Sequence, residues 1–304
     1  MTTRLRGAPA DTVTRWPAVA GSFYPADPDR LRALVTWQLG EAEARFPVPV
    51  DLAAAVGVLV PHAGLEYSGI VAAAGWRAAI SRGSEPPTVV LLGTNHGARW
   101  LDGLGAWDRG AWRTPLGEVV VDEDLAAEIV ALGAPFRVDR EAHDVEHSIE
   151  VQLPFLRVLA PESRIVPLAV SAGVGRHAVE AGTRLGTLLA TRWAAGDRVL
   201  LAISTDMAHY PSHEVAERVT QELLPAILEV DAAALAERET ALRGDAVAGL
   251  ACGMCGIEPA IVGLAALRAA GATRAFAIAA ATSADAGGGA DRTVGYFSAA
   301  FGMG

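Results

Sequence analysis

Three of the seven histidines stand a few residues beyond a continuous apolar run: in Pro61-His62-Ala63-Gly64, in Gly93-Thr94-Asn95-His96-Gly97 and in Ser204-Thr205-Asp206-Met207-Ala208-His209-Tyr210. Two neutral imidazoles plus one anionic ligand can hold a divalent metal with positions left open, the arrangement of non-haem iron oxygenases when the anion is a carboxylate. His62 and His96 supply the imidazoles. For the third ligand the sharpest candidate is Cys255, just before a predicted helix, where the helix N-terminus favours the thiolate. The rival reading of Cys252-Gly253-Met254-Cys255 is a redox dithiol. A closed four-cysteine zinc site is impossible, because the chain has only two cysteines.

His209 follows Asp206 by three positions, in a run expected to turn at a strand end. An imidazole there is suited to take a proton from a hydroxyl substrate, with Asp206 fixing its tautomer or supporting the metal site from behind its ligands. The stretch His143-Asp144-Val145-Glu146-His147-Ser148-Ile149-Glu150 is dense in polar groups. Its acids read as helix caps and His143 as a surface residue, while His147 reads as a pocket residue. If the stretch were helical, His143 and His147 would share a face.

These residues need a scaffold that brings strand ends together. Short apolar runs at Ala54–Val60, Thr88–Leu92, Ile165–Val170, Val199–Ser204, Phe276–Thr282 and Val294–Phe301 have the continuous character of strands buried on both faces. Helical patterns cover Pro28–Leu39, Ser68–Ile80, Glu123–Leu132, Ser148–Leu159, His177–Trp193, Glu214–Leu228 and Glu258–Ala270. Alternation of this kind predicts an α/β fold, a central sheet with helices on both faces, and ligands bound beyond the carboxyl ends of the strands. Trp107, Trp112 and the Arg113-Thr114-Pro115-Leu116-Gly117 turn read as a hairpin edge. No linker divides the 304 residues, so a single domain is expected, with residues 1–12 a flexible lead-in.

Composition excludes several functions. No lysine occurs among the 25 basic residues, which removes Schiff-base enzymes, Walker-type P-loops and protein kinases. A net charge of -10 is wrong for a nucleic-acid or anionic-membrane surface. The longest apolar stretches fall well short of the roughly 20 residues that span a bilayer, and no signal-like h-region opens the chain, so a cytoplasmic protein is expected. If it self-associates, a symmetric homodimer is the default.

The motifs together resemble those of the Memo family, whose bacterial members are called AmmeMemoRadiSam system protein B. The matching stretches run from Arg15-Trp16-Pro17-Ala18-Val19-Ala20-Gly21-Ser22-Phe23-Tyr24-Pro25 through the three histidine motifs, Thr114-Pro115-Leu116-Gly117 and Glu146-His147-Ser148-Ile149-Glu150, to Cys255-Gly256 and Pro259. That family is similar in fold to the class III extradiol dioxygenases of the protocatechuate 4,5-dioxygenase type, which implies a single dioxygenase-like domain with a central mixed sheet. The resemblance implies a metal site of His62, His96 and Cys255, with cysteine where the dioxygenases have glutamate. It also places His209 on their catalytic base and His147 on their substrate-contacting histidine. Fe(II) is the expected metal and copper the alternative, which a soft thiolate favours. The implied function is a dioxygenase-like oxidoreductase acting with O2 on a small catechol-like chelator. The alternative is a metal-binding or redox protein that holds a small molecule or peptide at the metal and works with a radical SAM protein and an AMMECR-type protein.

Overall fold

In the computed structural model, residues 13–50, 52, 54–80, 85–245 and 247–304 are described; the expected flexible lead-in at residues 1–12 lies outside them. In chain order the strands are β1 (Thr14–Arg15), β2 (Ala55–Val60), β3 (Thr88–Thr94), β4 (Leu104–Ala106), β5 (Ala111–Thr114), β6 (Gly117–Val120), β7 (Phe136–Val138), β8 (Arg164–Val170), β9 (Val199–Ser204), β10 (Arg274–Thr282) and β11 (Gly295–Gly302). The α-helices are α1 (Pro28–Arg45), α2 (Leu65–Ala79), α3 (Glu123–Ala131), α4 (Leu153–Leu159), α5 (Ala178–Ala194), α6 (His213–Leu228), α7 (Ala232–Gly244) and α8 (Ile257–Ala269). Strand β1 and the hairpin β5–β6 form a small sheet that accounts for the expected tryptophan edge.

The main sheet has the order β10-β11-β2-β9-β3-β8-β4-β7. Its centre, β2, β9, β3 and β8, is parallel, while β11 and β4 run antiparallel to their inner neighbours, so the sheet is mixed as expected. The parallel strands are almost wholly buried, the burial expected of strands covered on both sides. Helix α2 covers one face: a Cβ on Gly75 would lie 2.7 Å from Val60 Cγ1. Helix α8 covers the other, where a Cβ on Gly263 would lie 2.4 Å from Ile203 Cδ1, and α5 packs over α8. Sequence periodicity missed α7, because a carboxylate, Glu239, occupies the middle of its buried stripe of Ala232, Leu235 and Leu242.

The register of the parallel centre decides where chemistry can occur. Strand β9 lies between β2 and β3, with Val60 opposite Ser204 and Leu92 opposite Ile203. The three chains therefore leave the sheet side by side, at the carboxyl edge where α/β folds bind ligands.

The N-terminal segment is tied across this edge by a buried ion pair. Arg15 donates to Glu150 and, through Nε and Nη2, to the carbonyls of His143 and Glu146, and its guanidinium stacks 4.5 Å over the Trp112 ring. Glu150 also accepts from the N–H groups of Ala18 and Val19 at 2.8 and 3.0 Å and from the Tyr24 hydroxyl. Of the three acids expected to be helix caps, Glu146 and Glu150 are thus core residues, while Asp144 is exposed. His143, expected at the surface, is fully buried between Trp107 and Trp112 and reaches the Gly105 carbonyl through Nε2 at 2.9 Å.

Two predictions follow from this core. Replacing Glu150 by Ala leaves the Arg15 charge buried and uncompensated, so urea unfolding at pH 7 should show a loss of about 3–5 kcal/mol. Burial, helped by the Arg15 charge and opposed by the Gly105 hydrogen bond, pushes the His143 pKa down from 6.5 to about 4. Below pH 6.5 the unfolded chain binds a proton that the folded chain refuses, so stability should fall as pH drops from 6.5 towards 4. His143→Gln should flatten that slope in urea titrations at pH 7 and pH 5.

Candidate metal centre

His62 lies two residues past β2, His96 two past β3, and Asp206 two past β9. The expected turn does not come directly at the strand end: the chain runs on past β9, with His209 bridging to Cys252 on one side and Val294 on the other, and bends only at Tyr210. Tyr210 then takes a φ of 73°, and its N–H bonds the Thr293 carbonyl at 2.7 Å. Cys255 enters from the opposite direction, on the loop before α8. Its N–H donates to the Asp206 carbonyl at 3.2 Å, and its sulfur accepts the Asp206 N–H at 3.3 Å.

The polar wall behind His62 fixes its tautomer. Trp76 Nε1–H donates to Gln152 Oε1 at 2.9 Å, which orients the amide so that its nitrogen donates to the Pro61 carbonyl and to Ser204 Oγ. Ser204 gives its single hydroxyl proton to the Ser148 carbonyl at 2.6 Å. Towards His62 Nδ1, 3.1 Å away, it can therefore only accept. Nδ1 carries the proton, and the lone pair sits on Nε2, 3.3 Å from the Cys255 sulfur. Burial first, then the neighbouring His147 and His96, push His62 well below its ordinary pKa, so the ring is neutral.

His96 is oriented by a carboxylate. Its Nδ1 lies 2.9 Å from Glu146 Oε1, and Glu146 also accepts the N–H groups of His96, His147 and Ser148 at 2.7–2.8 Å. Burial alone would raise the Glu146 carboxyl. The His96 hydrogen bond and the charges of His96 and His147 outweigh it and hold the group far below the usual carboxylate range. An ionised Glu146 makes Nδ1 the donor and leaves Nε2 of His96 as the free ligand atom. Sequence reasoning missed this role for Glu146, as it missed Ser204, Gln152 and Trp76, since each acts only through tertiary contacts.

Among the described residues two overlapping donor groups result, each with ligand atoms within 4.8 Å of one another: His62, His96 and His147, and His62, Asp206 and Cys255. Ring geometry discriminates between them. A metal bonded to an imidazole lies in the plane of the ring. His96 and His147 are stacked at 4.5 Å with only 20° between their planes, so one ion cannot sit in both. His62 and His96, by contrast, meet edge to face at 86°, which lets both lone pairs converge. His147 is instead sandwiched between His96 and Phe23, whose ring centroid is 4.7 Å away.

Of the two roles expected of Asp206, fixing the His209 tautomer is absent, while its carboxylate does bond the backbone at His62. Asp206 Oδ1 accepts the N–H groups of His62 and Ala63 at 2.7 and 3.2 Å, and its Oδ2 is 3.9 Å from His209 Nε2, too far for a hydrogen bond. His209 Nε2 is buried without a partner. Burial, with the His96 charge, pushes His209 down to about 4, and burial pushes Asp206 up to about 6 against its two N–H donors. Cys255 also departs from the low-pKa thiolate expected at a helix start. Burial and then the Asp206 charge push its thiol well above the ordinary value. With no cation, the contact with His62 is an S–H donating to a lone pair, the kind of proton that a metal ion replaces. The donor set of two fixed imidazole lone pairs and one sulfur thus fits a soft divalent or monovalent metal. Cys252 is held up near 11 by burial and Glu239, which suits an unreactive half-buried thiol better than a redox dithiol.

Comparison with known proteins agrees with the motifs. A MEMO1 family protein of Methanopyrus kandleri is 36% identical over 298 residues, covering 94% of this chain and 98% of its own length. One of Saccharolobus solfataricus is 34% identical, covering 95% and 99%. The fold is similar to the crystal structure of an uncharacterized protein of Escherichia coli K12, at 14% identity and a TM-score of 0.50, over 81% of this chain and 99% of that one. Among the described residues no helix is long and apolar enough to cross a membrane. Residues 15–300 match the family described as Memo-like protein, and the chain belongs to that family.

Proposed function

We propose that this chain is a non-haem metalloprotein that binds Fe(II), with copper as the alternative, on His62, His96 and Cys255, and acts as a dioxygenase-like oxidoreductase on a small catechol-like chelator with O2. The observation that carries this reading is the lone pair of His62 Nε2, fixed by a buried hydrogen-bond chain and held 3.3 Å from the Cys255 sulfur. When bound, the metal supplies a Lewis acid with open positions for a chelating substrate and for oxygen.

The remaining work falls to the protein's own groups. His209 Nε2, neutral and unpartnered, is the atom free to take a proton from a substrate hydroxyl. Asp206, 3.9 Å from it, stabilises the imidazolium that results. His147, stacked on His96 and backed by Phe23, offers a substrate its polar ring edge. Glu146 keeps His96 oriented.

Glu146→Gln should weaken Fe(II) binding about 10–100-fold in anaerobic chelator competition, because it removes the charge that orients a ligand. Iron-loaded wild type given catechol and O2 should form a yellow ring-cleavage product. His209→Ala should keep its iron and lose turnover. Untouched catechol with iron bound would refute the substrate assignment, and loss of iron from His209→Ala would refute the role of His209 as base.

A further inference from the structure

Helix α7 buries a stripe in which three residues are apolar and the fourth, Glu239, is a carboxylate only 3% exposed. An apolar side chain would serve the core better there, since burying a carboxylate is costly unless its hydrogen bonds repay the lost water. Its oxygen Oε1 accepts the Gly253 N–H at 3.1 Å and, within α7, the Arg243 Nε–H at 2.8 Å. Oε2 is buried with no partner, and a Cβ on Gly253 would lie 2.2 Å from it.

Gly253 and Met254 are the two residues between the cysteines. On the far side, the loop hangs from the extended segment after β9: the Cys252 carbonyl accepts the His209 N–H at 3.0 Å, and Cys255 bonds the Asp206 backbone in both directions. The loop that delivers the sulfur is therefore clamped between the base-bearing strand extension and a single carboxylate from α7. No apolar contact could replace that carboxylate, because the buried Gly253 N–H needs an acceptor.

We infer that Glu239 is a positioning residue for Cys255, holding the 252–255 loop at the depth where the sulfur meets His62 Nε2. The inference rests on the metal site proposed above. It accounts for a charged residue in the buried stripe of α7 and for the absence of a side chain at position 253. Gln in place of Glu239 keeps the acceptor for Gly253, whereas Ala removes it.

Cobalt(II) titration of the full chain under argon tests this, because a cobalt–thiolate bond gives a charge-transfer absorption in the near ultraviolet that histidine ligands do not. Wild type should show the band. Glu239→Ala should bind Co(II) about tenfold or more weakly, with the band diminished or shifted, and Glu239→Gln should restore both. Gly253→Ala, which pushes on the same contact from the loop side, should behave like Glu239→Ala and carries the test if that variant does not fold. A folded Glu239→Ala or Gly253→Ala protein with wild-type band and affinity, whatever its melting temperature, overturns the inference. Wild type that binds Co(II) without the band overturns the sulfur ligand itself, and this inference with it.

Discussion

Four polar side chains at alternate positions, Glu146, Ser148, Glu150 and Gln152, are buried across the carboxyl edge of the parallel strands. A buried donor or acceptor without a partner costs roughly 1–3 kcal/mol, so burying four in one segment dictates what must surround them. Each is satisfied by residues distant in the chain. Glu146 takes His96, Ser148 takes Ser204 through its carbonyl and Thr94 through its hydroxyl, Glu150 takes Arg15, Tyr24 and two backbone N–H groups, and Gln152 takes Trp76, Pro61 and Ser204. The same bonds that make the segment tolerable in the core lock the N-terminal strand, α2, β3 and β9 to one another.

The site is a by-product of that accounting. With Ser204 and Gln152 committed, His62 has only one tautomer open to it, and with Glu146 ionised His96 has only one as well. Both rings then present bare nitrogens to the space where the Cys255 loop arrives. Stacking takes His147 out of competition for the same ion. The two groups of opposite burden, a carboxyl raised by burial at Asp206 and an imidazole lowered by burial at His209, stand 3.9 Å apart beside it. Environments that push neighbouring titratable groups towards each other's range are a recurring feature of catalytic sites.

Much of this was legible in the sequence, and for a definable reason. Apolar runs ending in His62, His96 and Asp206 mark strand ends, and strand ends of a parallel sheet converge, so their meeting needed no tertiary knowledge. The hairpin at Trp112 was equally local. What escaped depended on partners distant in the chain: Glu150 finds Arg15 across 135 residues, and His143 looks like a surface residue until Trp107 and Trp112 close over it. Helix α7 escaped because Glu239 breaks the apolar period, and the short strands β4 and β7, three residues each, carry too little pattern to register. The Cys255 thiol misled in the other direction, since its position before a helix suggested a low pKa that burial and the Asp206 charge reverse.

X-ray absorption on protein carrying one equivalent of zinc, a redox-silent stand-in for the native metal, tests most directly whether two imidazole nitrogens and one sulfur converge on a single ion. The account predicts one sulfur scatterer at about 2.3 Å together with histidine nitrogens at about 2.0–2.1 Å. A shell of nitrogen and oxygen alone, or zinc that does not bind at one equivalent, would contradict it.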